Sequence, residues 1–328
     1  MIRAGIIGMG KMGRIRCQAI SESILGTVVA THDPANPPAA PGARIEESAG
    51  SLIAAPDVDA VFICTPNYLN KPLTLEALRA GQHVFCEKPP AFTASDVLTI
   101  REAERLSGRV LMYGFNHRHH ESIQRMKAVV ESGEMGSVLW MRGRYGKEVD
   151  DRFFDGWRAK RELAGGGIIL DQGIHMLDLM VYLGGGFDEV QAMVSNLYWK
   201  IDGIEDNVFV NLRSSKTGIC ASLHSTMTQW RYLFSLEVFL EAGALVLNGL
   251  KTSSGAYGEE DLSVKRNPPK NHRGTFAREE RYTFHADTSW ASETQHFLTS
   301  IREGRQPALG HSGDALAVMR LIDTIYGH

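Results

Sequence analysis

Ala4-Gly5-Ile6-Ile7-Gly8-Met9-Gly10-Lys11-Met12-Gly13 decides the fold of the N-terminal part of this chain. An apolar strand runs directly into Gly-x-Gly-x-x-Gly, and Lys11 to Ser21 behind it has helical spacing. In such a turn Gly8 permits the tight bend, Gly10 lets a pyrophosphate approach the backbone, and Gly13 lets the helix pack on the strand. The helix N-terminus supplies amides and the positive end of a dipole, with Lys11 and Met12 in its first turn. Asp33 follows about 20 residues later, where a carboxylate accepts both ribose hydroxyls of NAD and repels the 2′-phosphate of NADP. NAD is therefore expected over NADP. A glycine turn with a capping Asp is the plainer alternative, and the strand before and helix after weigh against it.

Thr27 to Thr31, Val58 to Cys64, Val84 to Cys86 and Val110 to Gly114 read as further strands, with helices over Pro72 to Ala80 and Ala94 to Leu106. Apolar strands alternating with helices predict a doubly wound parallel sheet, α/β in class. Asp33 to Gly42 carries Pro34, Pro37, Pro38 and Pro41, so a loop is expected in place of a helix there. Beyond about residue 118 the pattern changes. Ser122 to Ser132 and Ile168 to Leu183 read as helices. Leu139 to Tyr145, Val190 to Leu197, Val208 to Arg213, Gly218 to Ser225, Phe234 to Leu240 and Ala244 to Leu247 read as strands, and Ser289 to Glu303 and Gly313 to Tyr326 as closing helices. These predict an α+β domain, an open and mostly antiparallel sheet covered by helices on one face. The expected division is 1–118, a dinucleotide-binding Rossmann domain, and 119–328, a substrate-binding and oligomerisation domain.

At 328 residues two domains are the default. A net charge of −3 gives no basic face for nucleic acid, and no apolar run approaches the roughly 20 residues that span a bilayer. Met1-Ile2-Arg3 enters a strand at once, so no signal peptide is expected. Cys17, Cys64, Cys86 and Cys220 form no CxxC pair. A cytoplasmic home is expected.

Two further stretches carry chemistry. Glu87-Lys88-Pro89 places an ammonium group just past an apolar strand, and Gly165-Gly166-Gly167 leads into Asp171-Gln172-Gly173-Ile174-His175. Spacing of four puts Asp171 and His175 on one helix face. Oxidising an alcohol needs a base for the hydroxyl proton, and His175 suits that near neutral pH. Asp171 can orient the imidazole or accept a second hydroxyl, and Lys88 can stabilise the developing alkoxide. The triple glycine is expected to let substrate or nicotinamide approach the backbone. Taken singly, each stretch reads more readily as a solvated turn or a surface pair; together, behind a dinucleotide fingerprint, they read as a site.

In that order the three motifs resemble the Gfo/Idh/MocA family of sugar and polyol dehydrogenases, along essentially the whole chain. The resemblance implies catalytic roles for Lys88, Asp171 and His175, NAD or NADP as cofactor, and a ring hydroxyl of a sugar, inositol or sugar nucleotide as substrate. Thr65, Pro66, Asn67, Glu87 and Lys88 are expected to join Gly8 to Gly13 and Asp33 around the cofactor. The proline-rich segment after Asp33 departs from the pattern.

Asn116-His117-Arg118-His119-His120 invites a metal reading, but adjacent histidines cannot share a helix face, and no metal is expected. Asn116, His117 and Arg118 are candidates to donate to substrate hydroxyls or to a phosphate, with Arg118 equally an anchor of the interdomain helix. Trp157 and Arg158 are candidates for a sugar-site wall. Glu205-Asp206-Asn207 reads as polar contacts or a turn, and Arg142, Arg144 and Lys147 as a solvated face. An NAD-dependent glycosidase acting through transient oxidation at carbon 3, and a non-catalytic NAD-binding sensor or assembly subunit, are the competing functions. Strands such as Val208-Phe209-Val210 and Leu236 to Leu240 carry apolar residues for both faces, so a homodimer or homotetramer packed through the C-terminal sheet is expected.

Overall fold

The computed structural model describes residues 1–35, 40–252, 255–267 and 279–327. Contacts divide the chain into two units, one of Met1–His119, Glu162–Gly165 and Ser289–Arg320, the other of His120–Arg161, Gly166–Thr288 and Leu321–His328. The break after His119 adjoins the expected one after Arg118. The segments 162–165 and 289–320, which the sequence reading gave to the second domain, join the first unit.

In the first unit β1 (Ile2–Ile7), β2 (Gly26–His32), β3 (Arg44–Ile45), β4 (Ala60–Ile63), β5 (His83–Glu87) and β6 (Leu111–Gly114) form a parallel sheet in the order β3-β2-β1-β4-β5-β6. β4 and β6 are buried along their whole length, as strands covered on both faces must be. The strand order reverses between β1 and β4, and in such sheets ligands bind outside the carboxyl ends at that point. Phe297, on the helix Ser289–Glu303, packs edge-on against Phe62 of β4 at 5.3 Å and Phe85 of β5 at 5.6 Å. That packing explains why so late a helix belongs to this unit.

The proline-rich stretch falls partly outside the described residues, at 36–39. After it come β3 and a short helix, Ala49–Ala54, capped by the Ser48 hydroxyl, which accepts the Ser51 amide proton at 3.0 Å. Neither element was expected, because neither is long enough to show a period.

The second unit holds β7 (Val138–Gly146), β8 (Glu189–Ser195), β9 (Asn207–Arg213), β10 (Cys220–Thr226), β11 (Leu233–Leu240), β12 (Gly243–Asn248), β13 (Glu260–Arg266) and β14 (Glu280–Phe284). Their order is β14-β13-β12-β11-β7-β10-β9-β8, antiparallel throughout except for β7 beside β10. β13 and β14 escaped the sequence reading; Glu-Asp-Leu-Ser-Val-Lys-Arg offers only Leu262 and Val264 to the core. Val208, Val210, Leu223, Leu236, Val238 and Leu245 are buried together on one face. The opposite face is mixed rather than apolar. Trp140 stacks on Phe239 at 3.9 Å, Arg142 pairs with Glu237 at 2.7 Å, and Met193 is 66% exposed. Side chains alternate along a strand, so Leu236 to Leu240 sends Glu237 and Phe239 to the open side.

Among the described residues no helix is long and apolar enough to cross a membrane, and no three His, Cys, Asp or Glu side chains are grouped to hold a metal.

Candidate functional site

β1 ends at Ile7 and the helix Lys11–Ser21 begins three residues after Gly8. Gly8 has φ +90°, and a Cβ there would stand 2.5 Å from the Cys64 carbonyl oxygen. A Cβ on Gly13 would stand 1.9 Å from the Gly8 carbonyl oxygen, so only glycine lets the helix close on the turn. Gly10 is different: a Cβ there would meet nothing within 4 Å. The helix start at Gly10 has no capping side chain and no acidic residue in its first turn. Open space beside uncapped amides fits an incoming pyrophosphate, because the helix dipole favours negative charge there. Asp33 lies against this loop. Its Oδ2 accepts the Met9 amide proton at 2.7 Å and its Oδ1 that of Ala35 at 2.9 Å.

Lys88 follows β5 directly, at the same carboxyl edge of the sheet, and is half-buried. Its flanks are pinned by a residue the sequence reading passed over. The Asn70 amide donates to the Glu87 carbonyl at 3.2 Å and to the Pro89 carbonyl at 2.8 Å. The Thr65 hydroxyl donates to Asn70 Oδ1 at 3.2 Å, and Asn67 donates to the Ala164 carbonyl at 2.7 Å. Pro66 caps the turn Asn67–Leu69 between them. Glu87 itself is buried and turned to protein: it pairs at 2.8 Å with Arg16, which also pairs with Glu293 at 2.5 Å. Arg16 is wholly buried and lies over the Phe85 ring at 4.2 Å. Burial alone would lower its pKa, and the Glu87 and Glu293 carboxylates overcome this and raise it.

In the second unit the helix expected over Ile168 to Leu183 comes in two parts, a π-helical turn at Ile169–Gly173 and an α-helix at Ile174–Gly184. Asp171 lies in the first and His175 in the second. Spacing of four puts two residues on one face only within a continuous α-helix, and the wider turn breaks that period; π turns of this kind are frequent at functional sites. Asp171 keeps 18% of its side chain exposed and faces two cations. Lys147 is bonded to its Oδ2, and Arg158 Nε lies 3.4 Å from its Oδ1. Lys147, expected on a solvated face, is buried, with its ammonium 5.0 Å from the Phe153 ring centre. Sequence spacing gave no sign of it, because its partner lies 24 residues away. Arg158 stacks over Trp157 at 4.3 Å, so Trp157, Arg158 and Asp171 do come together. His175 is buried.

The triple glycine serves the protein's own packing. A Cβ on Gly165 would meet the Phe92 ring at 2.3 Å, one on Gly166 the Tyr326 hydroxyl at 2.1 Å, and one on Gly167 the Glu205 carbonyl oxygen at 2.1 Å. The approach expected for substrate is therefore made by Phe92, Tyr326 and Glu205.

Asn116, His117 and Arg118 are all buried. The Asn116 amide donates to Ser289 Oγ at 3.1 Å, His117 Nδ1 lies 3.1 Å from Asn116 Oδ1, and Arg118 pairs with Asp314 at 3.0 Å. The histidine run is dispersed. His119 lies against the His296 ring, and His120 Nδ1 is 2.9 Å from Glu260 Oε2.

Residues 2–115 match the family described as "Oxidoreductase family, NAD-binding Rossmann fold", and residues 123–246 match "GFO/IDH/MocA C-terminal domain". A 1,5-anhydro-D-fructose reductase of Ensifer adhaerens is 33% identical over 208 residues, 62% of this chain but only 61% of that relative's length. A myo-inositol 2-dehydrogenase of Thermotoga maritima is 25% identical over 332 residues, 97% of this chain and 93% of its own. The solved structure of a levoglucosan dehydrogenase in complex with NADH and levoglucosan superposes with a TM-score of 0.85 at 23% identity, covering 99% of this chain and 96% of that one. At that identity the likeness is one of fold.

The unequal glycines make a test. Gly10→Ala should fold with the parent's thermal stability yet bind dinucleotide about tenfold or more weakly by calorimetry, a loss of ~1.4 kcal/mol or more. Gly13→Ala should instead lose stability, since a methyl group there has no room. Parental affinity in folded Gly10→Ala would remove Gly10 from the phosphate site.

Proposed function

Since the chain belongs to the Gfo/Idh/MocA family of oxidoreductases, we propose that it is an NAD-dependent dehydrogenase acting on a secondary hydroxyl of a sugar, cyclitol or nucleotide sugar. One observation carries the reading: Asp171, four residues before the proposed base in the chain, is held as a partly exposed carboxylate between Lys147 and Arg158. An ionised acceptor of that kind suits a polyol, whose several hydroxyls are donors. Relatives named for anhydrofructose and inositol support the substrate class.

When bound, the nicotinamide ring supplies the hydride acceptor. His175 then takes the proton of the reacting hydroxyl on a ring nitrogen, which requires the neutral imidazole. For Lys88 the family resemblance implies donation from the ammonium to a substrate oxygen that gains negative charge. Asn70 fixes the backbone on both sides of that lysine, so its reach is set by the fold. Asp171 accepts a neighbouring hydroxyl, and Trp157, stacked under Arg158, offers a face to the sugar ring. We assign Asn116, His117 and Arg118 to the frame, on the strength of their buried protein partners.

The function is tested by screening sugars, inositols and nucleotide sugars for NADH absorbance, with Lys88→Met as the companion variant. The variant should bind NADH normally and turn over at least about a hundredfold more slowly. Parental turnover in Lys88→Met would overturn its role, and glycoside cleavage without net NADH would shift the reading to a glycosidase.

Asp33 supports a preference for NAD, because its carboxylate adjoins the loop that would hold the dinucleotide. Asp33→Ser should narrow the NAD-to-NADP ratio of kcat/KM. A parent that prefers NADP would refute this placement.

We further propose that the open face of the β7–β14 sheet meets a second copy, making a homodimer or homotetramer. Exposed Met193, Phe209 and Trp140 beside paired Arg142 and Glu237 give the mixture of apolar and polar groups such contacts use. Sedimentation should show a species of at least twice the 36.2 kDa chain, and a monomer at micromolar concentration would rule the contact out.

A further inference from the structure

The segment that carries Asp171 and His175 starts badly for a helix. Three glycines precede it, its first turn is π-helical, and no side chain at its own N-terminus caps it. The first amides of a helix lack internal partners and, when buried, must find acceptors elsewhere. Here three consecutive amides end on one distant residue. Gly167 N–H donates to Glu205 Oε2 at 2.7 Å, Ile168 N–H to the Glu205 carbonyl at 3.0 Å, and Ile169 N–H to Glu205 Oε1 at 3.0 Å. The Tyr326 hydroxyl donates to the same Oε1 at 3.0 Å. Glu205 is buried, and burial raises its carboxyl pKa against the pull of the amide donors.

Glu205 is itself fixed. The next side chain, Asp206, accepts the amide protons of Leu197, Tyr198 and Trp199 at 2.8, 2.7 and 2.9 Å, and its backbone amide donates to the Ser195 carbonyl at 3.1 Å. The clamp is therefore anchored to the end of β8, and the absence of a Cβ on Gly167 is what admits it. Asp171 follows two residues after the last clamped amide, and His175 one turn later.

We infer that Glu205 is a positioning residue for the proton-handling segment: by holding the amides of residues 167–169 it sets where Asp171 and His175 stand. The catalytic part of this inference rests on the role proposed for His175; the geometric part does not. Reactive groups displaced by about 1 Å lose on the order of a hundredfold in rate, so a clamp at this point has leverage.

Glu205→Gln is the direct test, since glutamine keeps the shape but turns an NH2 toward an amide donor. Carbon-13 labelling of histidine, with the His175 signal assigned by its loss in His175→Ala, reads the site without substrate or cofactor. In folded Glu205→Gln the His175 signal should move, and its titration midpoint should shift by about half a unit or more, equivalent to ~0.7 kcal/mol. Tyr326→Phe, which removes one donor to the same carboxylate, should move the signal the same way by less. Turnover should fall about tenfold to a hundredfold in Glu205→Gln with dinucleotide affinity unchanged. A lower Tm with the parental His175 signal and parental pH profile would reduce Glu205 to a structural support and overturn the inference. If Glu205→Gln does not fold, Tyr326→Phe decides, and a parental His175 signal there overturns it too. Full activity in His175→Ala would sink the proposed base instead, leaving the effect of Glu205 on the His175 signal as a separate result.

Discussion

Backbone amides at turns and helix starts need an acceptor, and the placement of that acceptor differs from one turn of this protein to another. Where the chain supplies a carboxylate, the amides are settled: Glu205 takes those of residues 167–169 and Asp206 those of 197–199. At Gly10 no side chain caps the helix and the space a Cβ would fill is clear. Such an opening suits an external anion, and Asp33 holds Met9 in the same loop.

Side-chain charge follows the same logic. Two ions are bracketed by opposite charge, Arg16 by Glu87 and Glu293, and Asp171 by Lys147 and Arg158. The two differ in exposure, and that difference sorts their roles. Arg16 is sealed, so its pairs join the first helix to β5 and to the helix Ser289–Glu303. Asp171 keeps part of its surface open. A charge left buried without its partner costs several kcal/mol, about 3–5 on breaking such a pair, which makes the Arg16 cluster a structural commitment.

Much of the fold was legible because its signals are local. The run from Ala4 to Gly13 specifies a strand, a tight turn and a helix start within ten positions, and β1 and Lys11–Ser21 appear there. The long apolar strands and the helices Ser289–Glu303 and Glu121–Ser132 were legible by period. What failed was short or weakly patterned: β3, the helix Ala49–Ala54, β13 and β14. The two-part helix through Asp171 also escaped, since a π turn depends on packing that period cannot express.

Gly8 to Gly13, Lys88, Asp171 and His175 stand out in the sequence, in that order, because each sits in a short motif whose reading depends on near neighbours. What holds each motif emerges only in the folded chain. Asn70 beside Lys88, Lys147 beside Asp171, and Glu205 beneath the triple glycine lie 17, 24 and 38 residues from the groups they hold. It also reversed one meaning: the glycines at 165–167 look like room for a ligand, yet the room is filled by Phe92, Tyr326 and Glu205. The physical reason is the same in each case. A glycine or a charge declares in sequence that something must come close, and only the folded chain determines what does.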